Sequence, residues 1–337
     1  MIQVKTKKKK RRRRIVRILL VLLLLVVVGL SVLLYGPVKT LASLEKVDDF
    51  PLYVMRYHGT YFFDQFAKEG IDWVFYRKLY EKVNPDACTS FSAHSPQGEG
   101  LFGRNFDWKH RASLLLFTDP PEGYASVSMV DLYYLGLGGM QEIPWAKRLN
   151  LLGAPYAIMD GMNECGVAIA QNAVPQRQMP NDPNKPTLLH TQMLRLVLDY
   201  AKDVNEAISL ICQYNARFDV RATHFHIVDA SGNSAIVEYT NGKMVVLHNE
   251  EPWQVSTNFL ISEEIKPDCW RYKLVSESLS KIDGKIPQDE AMRLLSRAKL
   301  DNTVWSIVYN LSKGQIQLAL GKNYENVHSF KLEMKKN

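Results

Sequence analysis

Cys88-Thr89-Ser90-Phe91-Ser92, followed from Gly100 by Gly100-Leu101-Phe102-Gly103-Arg104-Asn105 and then Phe106-Asp107-Trp108, is the stretch on which the fold turns. Short runs of β-branched, aromatic and small residues, separated by a loop that contains Ser95-Pro96-Gln97-Gly98, predict two strands joined as a hairpin. The hairpin puts Cys88 at its open end and brings Arg104 and Asp107 back on the partner strand. A thiol, a guanidinium and a carboxylate then lie within reach of one another, which is a workable set for nucleophilic chemistry. A lone cysteine in a β run is by default a small buried hydrophobe, so the spacing makes Cys88 a candidate and no more.

Upstream, residues 36–87 alternate aromatic and charged residues, with apolar positions recurring at three- and four-residue spacing, and predict packed helices. This segment ends in Asn84-Pro85-Asp86-Ala87, a turn by its proline and Asx chemistry. Before it, the run from Ile15 to Tyr35 is almost wholly Leu, Val and Ile and matches one bilayer crossing. Its length favours an uncleaved signal anchor, although Leu41-Ala42-Ser43 leaves cleavage open. Ten of the 42 basic residues lie between Lys5 and Arg17, and the rest of the chain carries 32 basic against 35 acidic residues. The net charge of +7 is therefore a property of the tail, which argues against nucleic acid as a partner. Lys7 to Arg14 before the span predict a cytoplasmic N-terminus and a single-pass protein whose catalytic domain lies outside the cytoplasm. The divisions expected are a basic tail at 1–14, a transmembrane anchor at 15–35, a leading helical segment at 36–87 and an enzyme domain at 88–337.

Downstream, Tyr156 to Asp160 and Gly166 to Gln171 predict a strand pair, and Leu188 to Lys202 and Val204 to Tyr214 predict helices. Asp203 with Glu206 three residues on is a helix-opening cap for the second. Thr223 to Asp229, Ser234 to Tyr239 and Lys243 to His248 predict strands, with Asn241-Gly242 as a tight turn. Helices are expected at Trp270 to Lys281 and Gln288 to Ala298, and strands at Gln315 to Leu320 and Val327 to Leu332. This order argues for α+β layers rather than a parallel nucleotide-binding sheet. Gly136-Leu137-Gly138-Gly139 lacks the Lys-Ser or Lys-Thr of a phosphate loop. The four cysteines, Cys88, Cys165, Cys212 and Cys269, are too sparse for a disulfide framework, and no Cys or His spacing indicates a metal. A single bridge among Cys165, Cys212 and Cys269 is left open.

The Cys88 and Gly103-Arg104-Asn105-Phe106-Asp107-Trp108 segments resemble the start of the mature chain in the choloylglycine hydrolase superfamily of linear-amide C–N hydrolases. Bile salt hydrolases, penicillin V acylases, acid ceramidase and N-acylethanolamine acid amidase are members. The resemblance implies an N-terminal-nucleophile fold, a four-layer αββα sandwich, here preceded by a transmembrane helix. It implies autocatalytic cleavage between Ala87 and Cys88, catalytic roles for Cys88, Arg104 and Asp107, and no metal or other cofactor. Asn163-Glu164-Cys165-Gly166-Val167-Ala168-Ile169-Ala170-Gln171-Asn172 resembles the family segment that ends in an oxyanion-hole Asn, one residue short, so Asn172 is its candidate. Ser256-Thr257-Asn258 and Trp270-Arg271-Tyr272 resemble two later family signatures and add Asn258 and Arg271. His224-Phe225-His226 alternates like a strand, so both histidines share one face and a thiol–histidine dyad is an option; the resemblance implies no catalytic histidine, so satisfied strand histidines are expected, and Asp229 to Asn233 with Glu238 then read as a structural hairpin. The position of Cys88 behind 87 residues resembles acid ceramidase and isopenicillin acyltransferase, whose precursors cut internally. The expected function is hydrolysis of the amide bond of an N-acylated small molecule. Acyl transfer on the same fold and a non-catalytic membrane-tethered binding module remain the alternatives.

Overall fold

In a computed structural model, which describes residues 2–69, 87–109, 112–218 and 222–335, a helix α1 (Ile2–Ala42) carries the basic tail and the apolar run. Its Ile15–Ala42 stretch is long and apolar enough to cross a membrane. The chain then enters strands β1 (Glu45–Asp48) and β2 (Leu52–Tyr57) and a short helix α2 (Phe63–Glu69). The helical expectation for 36–87 is thus corrected over 45–57. Tyr53 and Met55 pack on one side of β2 and Leu52 on the other, so both faces are covered and the apolar residues lose the period of two that marks a half-buried strand. The aromatic run from Trp73 to Tyr80 and the expected turn at Asn84 to Asp86 lie outside the described residues.

The expected hairpin is formed by β3 (Ala87–His94) and β4 (Gly100–Asp107). It is followed by β5 (Ser113–Thr118), β6 (Ser126–Asp131), β7 (Ile158–Asn163), β8 (Ala168–Ala173) and a short β9 (Thr187–Leu189). Helices α3 (His190–Tyr200) and α4 (Val204–Ile211) come next, the latter capped by Asp203 accepting from the Glu206 amide. The second β run comprises β10 (Asn215–Arg217), β11 (Thr223–Val228), β12 (Ser234–Thr240), β13 (Lys243–His248) and β14 (Gln254–Ser256). Asn241 and Gly242 both take positive φ, 51° and 70°, as a two-residue hairpin of this twist requires. Helices α5 (Trp270–Ser280) and α6 (Gln288–Arg297) and strands β15 (Thr303–Asn310), β16 (Gln315–Leu320) and β17 (His328–Lys331) complete the chain.

Two sheets stack between two helical layers. One has nine strands in the order β1-β2-β5-β6-β7-β8-β11-β12-β13, and the other has six in the order β14-β3-β4-β15-β16-β17. Pairing is antiparallel except for β2 with β5 and the small β9–β10 ladder. Helix α3 packs Leu194, Val197 and Leu198 against Ile158, Ile169 and Phe225 of the nine-stranded sheet. Helices α5 and α6 cover the six-stranded sheet with Val275, Leu279, Leu294 and Leu295 against Phe91 and Val308. Between the sheets lie Phe102, Phe106, Met129, Ala168 and Trp305, with Phe106 and Trp305 stacked 4.0 Å apart. This is the αββα sandwich. A side chain at Gly103 would collide with the Phe91 ring directly across the ladder, its Cβ 2.5 Å from the nearest ring carbon, so glycine there lets the two strands of the hairpin close.

The carboxyl of Asp131 caps the turn after β6 by accepting the Tyr133 amide at 2.9 Å, while its other oxygen is buried with no hydrogen-bond partner. Burial pushes this group up to about 7, against the single backbone bond that lowers it. A carboxyl whose folded pKa exceeds its unfolded value costs stability as pH rises between the two, here from about 4 to about 7, and the full cost persists above. Asp131→Asn keeps the cap and removes the charge. It is expected to raise the thermal unfolding midpoint at pH 8, by at most about 4 kcal/mol in stability, and to leave it nearly unchanged at pH 4, as measured by circular dichroism melting.

Candidate active site

Cys88 and Arg104 meet because strand alternation puts both on the face of β3 and β4 that looks into the space between the sheets. In the ladder Cys88 lies opposite Phe106 and Ser90 opposite Arg104, so the two are diagonal neighbours. The Nη2 of Arg104 points at the Cys88 Sγ at 3.4 Å. The other donors of its two terminal nitrogens are held by the nine-stranded sheet: Nη1 binds the Met159 carbonyl and Asp160 Oδ2, the latter at 2.9 Å, and Nη2 also binds the Gln171 carbonyl at 2.7 Å. Asp160 is itself held by the Trp305 Nε1–H at 3.1 Å and the Tyr309 hydroxyl at 2.6 Å. Arg104 is fully buried and Cys88 is 2% exposed. Burial alone would favour loss of the guanidinium charge, but Cys88 and Asp160 outweigh it and hold Arg104 above its ordinary value.

The backbone of Cys88 is gripped from the other side. Its N–H donates to Asn258 Oδ1 at 2.8 Å and its carbonyl accepts from Arg271 Nη1 at 2.6 Å. Arg271, the second residue of α5, also donates to Thr89 Oγ1 and to Asn258 Oδ1, both at 2.8 Å. Asp107 pairs with Ala87 in the ladder and shares the helix-facing side with Thr89. One of its oxygens accepts from the Thr303 hydroxyl, and the other, buried without a hydrogen bond, is 3.6 Å from Arg271 Nη1. Burial pushes the Asp107 carboxyl up to about 6, against Thr303, Arg271 and Arg104. Arg104 therefore addresses the sulfur, whereas Asp107 stands behind Arg271, which grips the carbonyl of the same residue.

Asn172 lies one strand away, in a polar seam between the sheets. Its amide donates to Ser90 Oγ at 2.9 Å and Ser256 Oγ at 2.8 Å, and its buried Oδ1 has no partner. The two histidines of β11 end this seam on the same face. His226 Nδ1 meets Ser90 Oγ at 3.0 Å, and His224 Nε2 meets Ser256 Oγ at 2.7 Å and the Thr257 carbonyl at 3.0 Å. His224 Nδ1 then meets Glu238 at 2.9 Å. Burial and the neighbouring His224 depress His226 to about 3, so its imidazole is neutral. Ser256, His224 and Glu238 have the connectivity of a hydrolytic triad, but all three are fully buried and the His224 Nε2 is shared with a backbone carbonyl. Glu238 also accepts the amides of Ile261 and Ser262, which ties the chain just beyond Asn258 to β12.

The structure thus joins Cys88, Arg104, Asp107, Asn258 and Arg271 through direct contacts and sets Asn172 beside them. Asp160, Thr89, Thr303 and the link of the two histidines to Ser90 and Ser256 were not foreseen. Asp160 carries a signal in hindsight, because a carboxylate inside the apolar strand Ile158–Asn163 needs a buried cation. Thr303 carries none, since its partner is 196 residues away in sequence.

The sequence profile of the acyl-coenzyme A:6-aminopenicillanic acid acyl-transferase family matches residues 94–325. That range holds every candidate site residue except Ala87 and Cys88, which lie just before it. A penicillin V acylase of Pectobacterium atrosepticum is 26% identical over 195 residues, covering 51% of this chain and 49% of that one. The chain thus spans about half the length of this curated relative. Among solved structures, a mutant of the conjugated bile acid hydrolase of Clostridium perfringens superposes with a TM-score of 0.53 at 15% identity, covering 74% of this chain and 93% of that one. Penicillin V acylase of Agrobacterium tumefaciens gives 0.53 at 20% identity, with coverages of 73% and 86%. These structural likenesses concern the fold. With a family profile spanning well over half its length, and the layered sheets and the hairpin in their expected places, the chain belongs to the acyl-coenzyme A:6-aminopenicillanic acid acyl-transferase family and has the fold of the N-terminal-nucleophile hydrolases.

Proposed function

We propose that this protein is a cysteine amide hydrolase that cleaves its own chain between Ala87 and Cys88 and then hydrolyses the amide bond of an N-acylated small molecule. The observation that carries the reading is the Arg104 guanidinium 3.4 Å from the Cys88 sulfur, in a site where neither group meets water. Such a cation favours the thiolate. In the first step the sulfur attacks the Ala87 carbonyl carbon, the C–N bond breaks, and the thiol proton passes to the departing nitrogen. Water then releases the Ala87 carboxylate from the thioester. Cleavage creates an α-amine and also uncovers a sulfur that is 2% exposed in the intact chain.

In turnover the amine, whose reference pKa of about 7.7 to 8.0 lies just below that of a thiol near 8.5, takes the thiol proton. Asn258 Oδ1 already holds this nitrogen, and the Asp107 oxygen that faces Arg271 without a hydrogen bond, on the residue paired with Ala87, is available to accept from it. Attack on a substrate amide gives an oxyanion and then an acyl-cysteine that water hydrolyses. For the oxyanion, Asn258 spends one of its two amide N–H donors on the Ala173 carbonyl, at 2.8 Å, whereas Asn172 spends both on the seam serines. Asn258 is the better placed donor. The family profile is named for an acyl transferase, so an amine that intercepts the acyl-cysteine faster than water is the second reading. The relatives are named for penicillin V and conjugated bile acid, and on that basis the substrate class is an acylated amine. The apolar helix fits a single-pass anchor with the catalytic domain outside the cytoplasm.

Intact-mass spectrometry of the purified protein is expected to find a fragment that begins at Cys88, and to find Cys88→Ala as a single uncut chain. An uncut wild-type protein that still hydrolyses amides would exclude the mechanism. Arg104→Lys removes the second arm of the guanidinium, and the remaining thiol is expected to react with iodoacetamide about tenfold more slowly or worse at pH 7. An unchanged alkylation rate would mean that Arg104 does not activate the sulfur. Protonation of Asp107 as pH falls removes its acceptor. The kcat/KM profile is therefore expected to drop on the acid side with an inflection at or below about 6, and Asp107→Asn to lose that limb along with most activity.

A further inference from the structure

No free linker joins the apolar helix to the enzyme domain. The 21 residues from Ile15 to Tyr35 rise about 30 Å, one hydrocarbon thickness. At the very next residue the domain touches the helix, where a Cβ on Gly36 would come 2.8 Å from the His58 carbonyl oxygen. One turn further, Thr40 is fully buried and accepts the His58 amide at 2.9 Å, and Ser43 both donates to and accepts from the backbone of Arg56. The final turns of α1 are part of the domain, so a bilayer around Ile15 to Tyr35 lies directly beneath it.

The 3₁₀ segment Trp145–Tyr156 packs on α1 and is tied to β2 by the Tyr57 hydroxyl donating to the Leu152 carbonyl at 3.3 Å. Its inner side buries Leu151, Ala154 and Tyr156. Its start does the opposite: Trp145 is 78% and Leu149 66% exposed, with Lys147 and Arg148 between them and the Arg148 guanidinium 5.8 Å from the Trp145 ring centre. Two large apolar side chains in water beside a membrane-spanning helix, interleaved with cations, have the composition of an interfacial anchor. The rings and alkyl groups suit the acyl boundary and the cations suit lipid phosphates.

We propose that the face carrying Trp145, Lys147, Arg148 and Leu149 sits in the headgroup layer of an anionic bilayer, holding the catalytic domain flat against the membrane. This rests on the reading of Ile15 to Tyr35 as a membrane span, and the test separates the two. Full-length protein is reconstituted into phosphatidylcholine–phosphatidylglycerol vesicles with brominated acyl chains, and tryptophan emission is recorded. Bromolipid is expected to quench the wild type, Trp145→Phe to remove most of that quenching, and Leu149→Ser with Lys147→Glu to weaken it. Because Trp145 is a surface residue, its replacement leaves the core untouched. Quenching that survives Trp145→Phe undiminished overturns the proposal, as does a Trp145 shielded from both bromolipid and aqueous iodide, which would place a second copy or another protein on this face. A chain that fails to float with vesicles in high salt defeats the membrane span itself, and the docked face with it. One that floats with Trp145 open to iodide defeats the docked face alone.

Discussion

A guanidinium locked between two sheets is the constraint on which this architecture depends. Removing such a cation from water costs several kcal/mol unless its donors are met in the interior. Arg104 meets those of its two terminal nitrogens with a carboxylate on β7, backbone carbonyls on β7 and β8, and the sulfur on β3, and leaves Nε buried without a hydrogen bond. Asp160 in turn draws on Trp305 and Tyr309 of β15. Five strands from both sheets are fixed in register by one side chain, because a slip of one residue in β4 would turn Arg104 to the opposite face. The electrostatic demand that fixes the fold is the same one that delivers a positive charge to the sulfur.

The grip on the Cys88 backbone works on a second level. Helix α5 supplies Arg271, and Arg271 organises Asn258, Thr89 and the Cys88 carbonyl together. The chain beyond Asn258 is pinned in turn by Glu238. Burial works against the Glu238 charge, but the bonds from His224, Ser262 and the Ile261 amide hold its carboxylate below the ordinary range. A hairpin that reads as scaffolding in the sequence thereby sets the position of an amide beside Cys88. The seam of Ser90, Asn172, Ser256 and the two histidines links that hairpin to the strand of Cys88.

The hairpin of β3 and β4 was legible in the sequence because its turn chemistry and its Gly-Arg-Asn-Phe-Asp run are local. Most later helices and the strands around Asn241-Gly242 were legible for the same reason. Strands β5, β6 and β15 were not recognised. Every residue of each is buried, and the apolar side chains of β5 and β15 divide between two layers, so no alternation betrays them; β6 alternates only from Ser126 to Met129. The same double burial made β2 look helical. Within the site, residues carried by sequence signatures were found, while those that serve them from distant strands, such as Asp160 and Thr303, were not. Their partners are set by sheet order, and sheet order is a long-range property.

The parallel ladder between β2 and β5 has a consequence of its own. β2 precedes Cys88 and β5 follows it, so a break before Cys88 would leave the two products sharing one sheet, with Leu52 and Met55 sealed in its interior. The mature protein would then be a heterodimer made from a single gene product. Its grip on the bilayer would be an equilibrium between two polypeptides, reversible by denaturant and no longer guaranteed by a covalent bond.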